Sequence, residues 1–344
     1  MKKIVSLVLS VLMLFSVLSL AGCGEDKNAD SSKTDSAKLK FGLGVYNVIA
    51  DATNAEGDTN GKAEADHTVA AVLLDGDKIV KCVIDTAAVT GEYTADGKAV
   101  KATEFKTKYE LGDSYGMKAY GGAKKEWYEQ VDAFISVIKG KTINDVKAMV
   151  AEGGKGNPDV VGAGCTIAIS DFIYALEKAV KNAKDSDATN EADLKLGIVS
   201  TQADATDAKD GTDGVNEIDT TISAIVLKDS KVVASLTDAV SVSFGFDTKG
   251  AAKTDKAAAI STKRESGDKY GMKAYGKDLN GDGTVKEWYE QADAFDKACI
   301  GKSSAEIAKL AIETGYGIDE LQTAGCTINV NDMVKAAVKA ATVK

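Results

Sequence analysis

Two short segments, 162–176 and 323–337, share a small-residue turn, a threonine and then an amphipathic helix. The shared glycine, cysteine and threonine are Gly164, Cys165 and Thr166 in the first segment and Gly325, Cys326 and Thr327 in the second. Glycine lets the backbone approach a ligand closely, and the free N–H groups at a helix start favour an anion. Each threonine can therefore present its hydroxyl beside a bound anion.

The residues that open the two helices bear on this interpretation. Ser170 and Asn331 are residue types that favour the N-cap position, so we predict that they cap the helices. Asp171 and Asp332 follow them and already supply negative charge to the positive end of each helix. Taken alone, the local sequence favours a structural turn over an anion site.

The composition argues against several classes of protein. The chain of 344 residues has one histidine, His67, whose counterpart in the second half is Thr220, so we expect an ordinary surface or strand residue. A Ser-His-Asp hydrolase or a histidine-rich zinc site is not expected from one unrepeated histidine. The net charge is −10 and there is no basic cluster, which argues against a nucleic-acid partner.

The first residues have the pattern of a secretion signal. Lys2 and Lys3 precede the apolar stretch 4–20, and Leu-Ala-Gly-Cys then closes at Cys23. This ending resembles a bacterial lipobox, which implies cleavage before Cys23 and a diacylglycerol on its sulfur. The protein would then be lipid-anchored at the extracytoplasmic face of the cell membrane, exposed at the cell surface. The alternative is a plain signal peptide or a spanning helix.

Long blocks of sequence occur twice, which indicates a duplicated domain. Residues 125–134 match 286–295, and 111–120 match 266–275. The offset far exceeds a solenoid period of about 20–50 residues. The predicted parts are a signal peptide and lipobox at 1–23, a flexible tether at 24–38, domain one at 39–184, a linker at 185–194 and domain two at 195–344.

Each copy shows strand patterns first and helix patterns afterwards. Residues 68–74 and 78–84 predict a hairpin, and 221–227 with 231–236 repeat it. Later, Trp127, Val131, Phe134 and Ile138 recur on one face at helical spacing. We predict a loop at 54–65 and another at Pro158. The fold class is therefore α+β, with two tandem copies of a small domain of antiparallel hairpins followed by helices.

Each copy resembles the FMN-binding domain of bacterial extracytoplasmic redox proteins, the family that includes flavin-bearing subunits of sodium- and proton-coupled oxidoreductases. The resemblance rests on the hairpin stretch 77–80, the helix with Trp127 and Phe134, and the pair 140–141. It also rests on the glycine-cysteine-threonine segments, which stand where that family has Gly-Ala-Thr. The family motif has Ser or Thr where this chain has Ala163 in the first copy and Ala324 in the second.

In that family the threonine hydroxyl is esterified to the FMN phosphate by a dedicated transferase. The resemblance thus implies covalent FMN on Thr166 and Thr327, with the preceding Gly-Cys pairs beside it. It implies a flavin transferase, a membrane electron donor and an extracellular acceptor as partners. The cysteines either pack as small residues or tune the flavin. The alternative function is a ligand- or partner-binding surface lipoprotein that has the same fold without flavin.

The second copy contains an insertion with the pattern of a calcium loop. Its oxygen-bearing residues Asp278, Asn280, Asp282 and Thr284 alternate along the chain, and a glycine follows the third. This spacing resembles the first half of an EF-hand or dockerin loop. Tyr289, however, stands where an EF-hand has its bidentate glutamate. The pattern predicts either a structural Ca²⁺ site or an Asp- and Gly-rich surface turn.

Overall fold

The computed structural model describes residues 37–102, 104–275 and 285–343. The predicted signal peptide with Cys23 lies outside this part of the chain, as does nearly all of the tether. Within the described residues, no helix is both long enough and apolar enough to cross a membrane.

The first copy places long strands before short helices. Its strands are β1 (Lys40–Thr53), β2 (Gly61–Asp75), β3 (Lys78–Tyr93), β4 (Ala99–Val100) and β5 (Lys184–Asp185). Its helices are α1 (Lys108–Leu111), α2 (Met117–Gly121), α3 (Trp127–Ile138), α4 (Ile143–Lys147), α5 (Pro158–Ala163) and α6 (Ser170–Asn182), with 3₁₀ turns at Gly112–Tyr115 and Glu152–Gly154.

The second copy repeats this order. Its strands are β6 (Asp193–Thr206), β7 (Gly214–Lys228) and β8 (Lys231–Phe246). Its helices are α7 (Lys263–Ser266), α8 (Met272–Tyr275), α9 (Trp288–Cys299), α10 (Ser304–Ile307), α11 (Asp319–Thr323) and α12 (Asn331–Thr342), with a 3₁₀ turn at Gly267–Tyr270. The α+β class is therefore confirmed.

The described strands form two antiparallel sheets. One has the order β4-β3-β2-β1-β5 and the other the order β6-β7-β8. Leu73 from the first sheet and Ile222 from the second belong to one buried cluster, so the sheets face each other. A second cluster joins the first sheet to α3 and α6, and a third joins the second sheet to α9 and α12. The result is four layers: helices, sheet, sheet, helices.

The central strands are apolar on both faces because both faces are covered. In β2, Val69, Ala71 and Leu73 pack between the sheets, while Ala70 and Val72 pack under the helices. This arrangement explains the unbroken apolar run in β2, since alternation is expected only when one face meets water.

Several local predictions are confirmed and two are wrong. The predicted hairpins exist, but they run to Tyr93 and Phe246, and the helix predicted from Trp127 ends at Ile138 as expected. The predicted loop 54–65 is wrong in its second half, because β2 begins at Gly61. The loop predicted at Pro158 is also wrong: Asn157 caps α5 and Pro158 occupies its first turn, where a missing N–H costs nothing.

The predicted linker 185–194 contributes to the packing of both copies. Its first residue belongs to β5, which pairs with β1. Ala188 and Ala192 are fully buried, and the Lys81 ammonium donates to the Ala192 carbonyl at 2.5 Å. The two copies belong to one compact unit. The domain boundaries drawn from the sequence stay a prediction.

Glycines in the first strand of each copy allow its last helix to lie directly on the sheet. A Cβ at Gly44 would lie 2.2 Å from the Ala175 carbonyl oxygen of α6. A Cβ at Gly197 would lie 2.1 Å from the Ala336 carbonyl oxygen of α12. Both distances are below any real contact, so a side chain at either position would push the helix away.

We predict that Gly44→Ala lowers the free energy of unfolding by about 1–3 kcal/mol, the usual cost of overpacking a core. Gly121→Ala is the matched control, because a Cβ there meets no atom within 4 Å. Urea denaturation of both variants measures the difference. Equal stability of the two variants would contradict the close packing of strand and helix.

The single histidine lies on β2 and is buried in the layer between the sheets, so the strand alternative of the prediction is confirmed. His67 Nδ1 lies 2.8 Å from Asn47 Oδ1, and Asn47 Nδ2 donates to the Ile260 carbonyl. Within the described part of the chain, His67 Nε2 has no hydrogen-bond partner. Burial lowers the pKa of His67 from 6.5 to about 4.

We predict that His67 makes the protein less stable as the pH falls below 6.5. Below pH 6.5 the unfolded chain binds a proton at His67, whereas the folded chain binds this proton only near pH 4. The free energy of unfolding therefore decreases as the pH falls from 6.5 to about 4. Between pH 8 and pH 5 the loss should be on the order of 2 kcal/mol. Urea denaturation of the wild type and of His67→Thr, the residue found in the second copy, measures it. Parallel pH profiles of the two proteins would refute the assignment.

Candidate functional site

The threonine of the first copy is held by one buried carboxamide. Gln130 lies on α3 and is almost fully buried. Its Oε1 accepts hydrogen bonds from the Thr166 backbone N–H at 2.8 Å and from the Thr166 hydroxyl at 2.9 Å. Its Nε2 donates to the Lys125 carbonyl at 3.1 Å. The orientation of this carboxamide is therefore fixed from both ends, and Thr166 itself is exposed.

A lysine side chain lies across the glycine that precedes the cysteine. Lys125 donates from Nζ to the Ala163 carbonyl at 3.1 Å. Gly164 has φ +107°, and a Cβ there would lie 2.2 Å from Lys125 Nζ. The positive backbone angle requires the glycine, and the lysine ammonium lies close to the threonine turn.

The second copy reproduces this arrangement. Gln291 Oε1 accepts from the Thr327 N–H at 2.8 Å and from the Thr327 hydroxyl at 3.2 Å. Lys286 donates to the Ala324 carbonyl at 2.8 Å, and a Cβ at Gly325 would lie 1.9 Å from its Nζ. A threonine, a carboxamide and an ammonium therefore meet at the same turn twice in one chain.

The two copies differ in how closely the threonine is held. Thr166 is exposed, whereas Thr327 is half-buried. In the second copy the Ile328 N–H also donates to Gln291 Oε1, at 3.2 Å. The first threonine is therefore the more accessible of the two.

The repeated glutamate before each tryptophan fixes the neighbouring turn. Glu126 is buried, and its carboxylate accepts from the Met117 N–H at 2.8 Å and from the Lys118 N–H at 3.1 Å. Glu287 accepts in the same way from Met272 and its neighbour. This contact explains why the Tyr-Gly-Met-Lys block and the Lys-Glu-Trp block repeat together.

The two cysteines of the segment are buried thiols. Cys165 and Cys326 are free, and each belongs to the cluster beneath its copy's helices. Burial raises the pKa of Cys165 to about 11 and that of Cys326 to about 12. At neutral pH both are protonated, so they pack as small apolar groups and are poor nucleophiles.

The predicted helix caps are wrong by one residue. Ile169 and Val330 occupy the N-cap positions, and neither cap has a side-chain hydrogen bond, because Ser170 and Asn331 are already helical. The Ser170 hydroxyl points to the Gly154 carbonyl at 3.5 Å. The pKa of Asp171 in the first turn is raised, chiefly by burial. The cap residues thus do not select an anion, and the lysine is the cation beside each threonine.

Sequence reasoning identified the threonines but not the residues that hold them. Gln130 and Lys125, with their counterparts, lie inside the repeated Lys-Glu-Trp-Tyr-Glu-Gln block. In the sequence that block indicates a repeat and an amphipathic helix, and its polar residues have no predicted role. Its polar residues repeat as faithfully as its apolar ones, and this was the available signal.

The predicted calcium ligands Asp278, Asn280, Asp282 and Thr284 lie outside the described residues. Among the residues that are described, no group of three or more His, Cys, Asp or Glu side chains is arranged to hold a metal ion. The calcium site therefore stays a prediction.

Comparison with known proteins gives one distant relative. Chlorophenol reductase of Desulfitobacterium hafniense is 32% identical over an alignment of 125 residues, and the alignment covers 31% of this chain and 38% of that protein. The chain thus spans well under half the length of this relative. No protein-family model and no solved structure matches the chain.

We predict that Gln130→Leu lowers the free energy of unfolding by about 1–3 kcal/mol, because two donors of Thr166 lose their acceptor. Thr166→Val should cost less than about 1 kcal/mol, because the backbone N–H keeps its bond to Gln130. Urea denaturation of the two single variants tests this order. A larger loss from Thr166→Val would show that the hydroxyl, rather than the turn, is the main partner.

Proposed function

We propose that Thr166 and Thr327 carry FMN as phosphate esters and that the protein relays electrons outside the cytoplasm. A membrane-bound donor would reduce the flavin and an extracellular acceptor would oxidise it. A flavin transferase would make the two esters. In this proposal Cys23 holds the chain to the membrane through its lipid.

The observation that carries the proposal is the twofold occurrence of one polar arrangement. In each copy a threonine hydroxyl donates a hydrogen bond to a buried glutamine. A lysine ammonium lies close to the glycine that stands two residues before this threonine. In a structural turn the lysine only donates to the carbonyl at the end of the preceding short helix, and this contact does not require a second charged group. A phosphate diester would use the charge of the lysine, because its negative charge is stabilised by a nearby ammonium.

The residues present fit a phosphate at this position. Lys125 Nζ uses one donor on the Ala163 carbonyl, and an ammonium has three donors. Lys286 uses one donor on its own carbonyl partner in the same way. Because Gly164 has no Cβ, the lysine ammonium can lie close to the backbone at this position. Lys125 and Lys286 would therefore hold the phosphates.

Esterification would leave the turn intact. Thr166 Oγ1 would lose its proton and its donation to Gln130, while the backbone N–H would keep its 2.8 Å bond to the same oxygen. Because an ester oxygen and Gln130 Oε1 are both acceptors, the Thr166 side chain would rotate away from Gln130, at the cost of one hydrogen bond of about 1 kcal/mol. The exposed position of Thr166 leaves room for an attaching enzyme to reach the hydroxyl.

The redox chemistry would belong to FMN, which accepts and releases electrons when bound. The chain would supply attachment, charge and orientation. The buried thiols beside the threonines would remain protonated because burial raises their pKa. The distant relative is a reductase by name, and this supports a redox role for the chain without indicating a particular reaction.

We predict that the protein gains the mass of one FMN less one water on each threonine when it is produced with a flavin transferase. Intact-mass spectrometry and the visible spectrum measure this. The Thr166→Val and Thr327→Val variants should each lose one increment, and the double variant should be colourless. At limiting transferase, Thr166 should be modified before Thr327, because it is the more exposed.

The matched control is Thr342→Val in the last turn of α12, whose hydroxyl contacts only helix carbonyls. It should keep both increments. A colourless wild-type protein with no added mass, produced beside an active transferase, would overturn the proposal. The remaining function would then be a ligand- or partner-binding lipoprotein without flavin.

A further inference from the structure

A cavity of about 390 Å³ lies where the two copies meet, away from both threonines. The first copy contributes β3, α1 and α3 to its wall, and the second copy contributes β6 and the end of α12. The apolar lining residues are Cys82, Val83, Ile84, Ile135, Leu194, Leu196, Ile198 and Val343, and the polar ones are Asp85, Tyr109, Glu110, Asp132, Lys195 and Lys339.

The duplication places an equivalent cavity of about 350 Å³ on the other side of the molecule. It is lined by β1 and the end of α6 from the first copy and by β8 and α7 from the second. The mouths of the two cavities are built alike. Glu110 pairs with Lys339 at 2.6 Å beside the first cavity, and Glu265 pairs with Lys178 at 2.6 Å beside the second.

The floors of the two cavities differ in chemistry. In the second cavity Arg264 pairs with the buried Asp296 at 2.8 Å, and the hydroxyls of Ser235 and Thr237 donate to the same carboxylate. At the equivalent positions the first cavity has Tyr109, Ile135, Cys82 and Ile84. A buried ion pair therefore lies beneath the second cavity, whereas Tyr109 and apolar side chains take the equivalent positions in the first.

The size of one wall residue also differs. Phe41 lines the second cavity, and Leu194 occupies the equivalent position in the first. The strand pairing shows the equivalence. Phe41 pairs with Leu73 of β2, and Leu194 pairs with Val226, the corresponding residue of β7. The smaller leucine enlarges the apolar space. An apolar ligand in this space would remove apolar side-chain surface from water.

The charged groups around the first cavity already have partners. Asp85 accepts from the backbone N–H groups of Thr86 and Tyr109, and the Tyr109 hydroxyl donates to Asp132. Lys195 donates to a backbone carbonyl, and Lys339 is paired with Glu110. A charged ligand would have to leave water for a mostly apolar lining, which is costly unless it finds an oppositely charged partner, and an uncharged ligand avoids this cost.

We propose that this cavity binds an uncharged aromatic molecule of one or two rings. Its volume is in the range of small-molecule sites, about 300–1,000 Å³. The ring of Tyr109 and the sulfur of Cys82 offer surfaces on which a flat ring packs favourably. The site does not depend on flavin at the threonines, because its lining residues are separate from the threonine turns.

The neutral fluorescent probe N-phenyl-1-naphthylamine tests the site, since its emission rises in an apolar environment. We expect saturable binding to the mature protein and binding at least tenfold weaker in Leu194→Phe. This substitution introduces the residue that the fold already accepts at position 41. Ile135→Phe fills the cavity from α3 and should have the same effect if Leu194→Phe does not fold.

The matched control is Leu236→Phe, which fills the equivalent cavity on the other side. It should leave the affinity for the probe unchanged. No saturable binding to the wild type would overturn the proposal. Equal affinity of the wild type and both filled variants, or an equal loss in the Leu236→Phe control, would overturn it as well.

Alkylation of Cys82 gives an independent measurement at the same cavity. This thiol is half-buried, whereas Cys165, Cys299 and Cys326 are buried. Slow modification by N-ethylmaleimide, located by peptide mass spectrometry, should be reduced several-fold by saturating probe at Cys82. An unchanged rate of Cys82 modification would place the probe elsewhere and refute the site.

Discussion

One carboxamide oxygen in each copy fixes the segment on which the proposed chemistry depends. Gln130 Oε1 holds both the backbone and the hydroxyl of Thr166, and Gln291 does the same for Thr327. Each glutamine is buried on a helix that begins with the repeated tryptophan, so its position is set by the apolar core beneath it. The packing of α3 and α9 on their sheets therefore fixes the positions of the polar groups in each site. The neighbouring lysine adds a charge without being part of that core.

The layer between the sheets joins the two copies, and it also allows them to diverge. Each copy's own helices cover the outer face of its sheet, and the inner faces cover each other. Some residues have changed between the copies while this packing has been kept: His67 corresponds to Thr220, and Tyr109 to Arg264. The threonine turns share the contacts of the glutamine and of the lysine, whereas the two cavities have different floors. Such selective divergence is expected when one arrangement is needed twice and the other is not.

The sequence predicted the strands, the main helices and the duplication because these depend on local periodicity, as in Trp127 to Ile138. It failed at Pro158, where a residue that ends helices also suits a first helical turn. It placed the caps on Ser170 and Asn331 because side-chain type was read without the backbone angles. It found the threonines but missed Gln130, since the contact joins residues on separate elements whose approach only the folded chain shows. The packing of the two sheets against each other could not be predicted either, because an apolar strand pattern does not indicate which element covers the strand.

The ion pairs between the copies are reciprocal. Lys178 of the first copy reaches Glu265 of the second, and Lys339 of the second reaches Glu110 of the first. A single copy therefore carries both halves of the contact, which is the property of a surface that pairs with itself about a twofold axis. The two halves therefore meet as the subunits of a symmetric dimer do, although one continuous chain carries both of them.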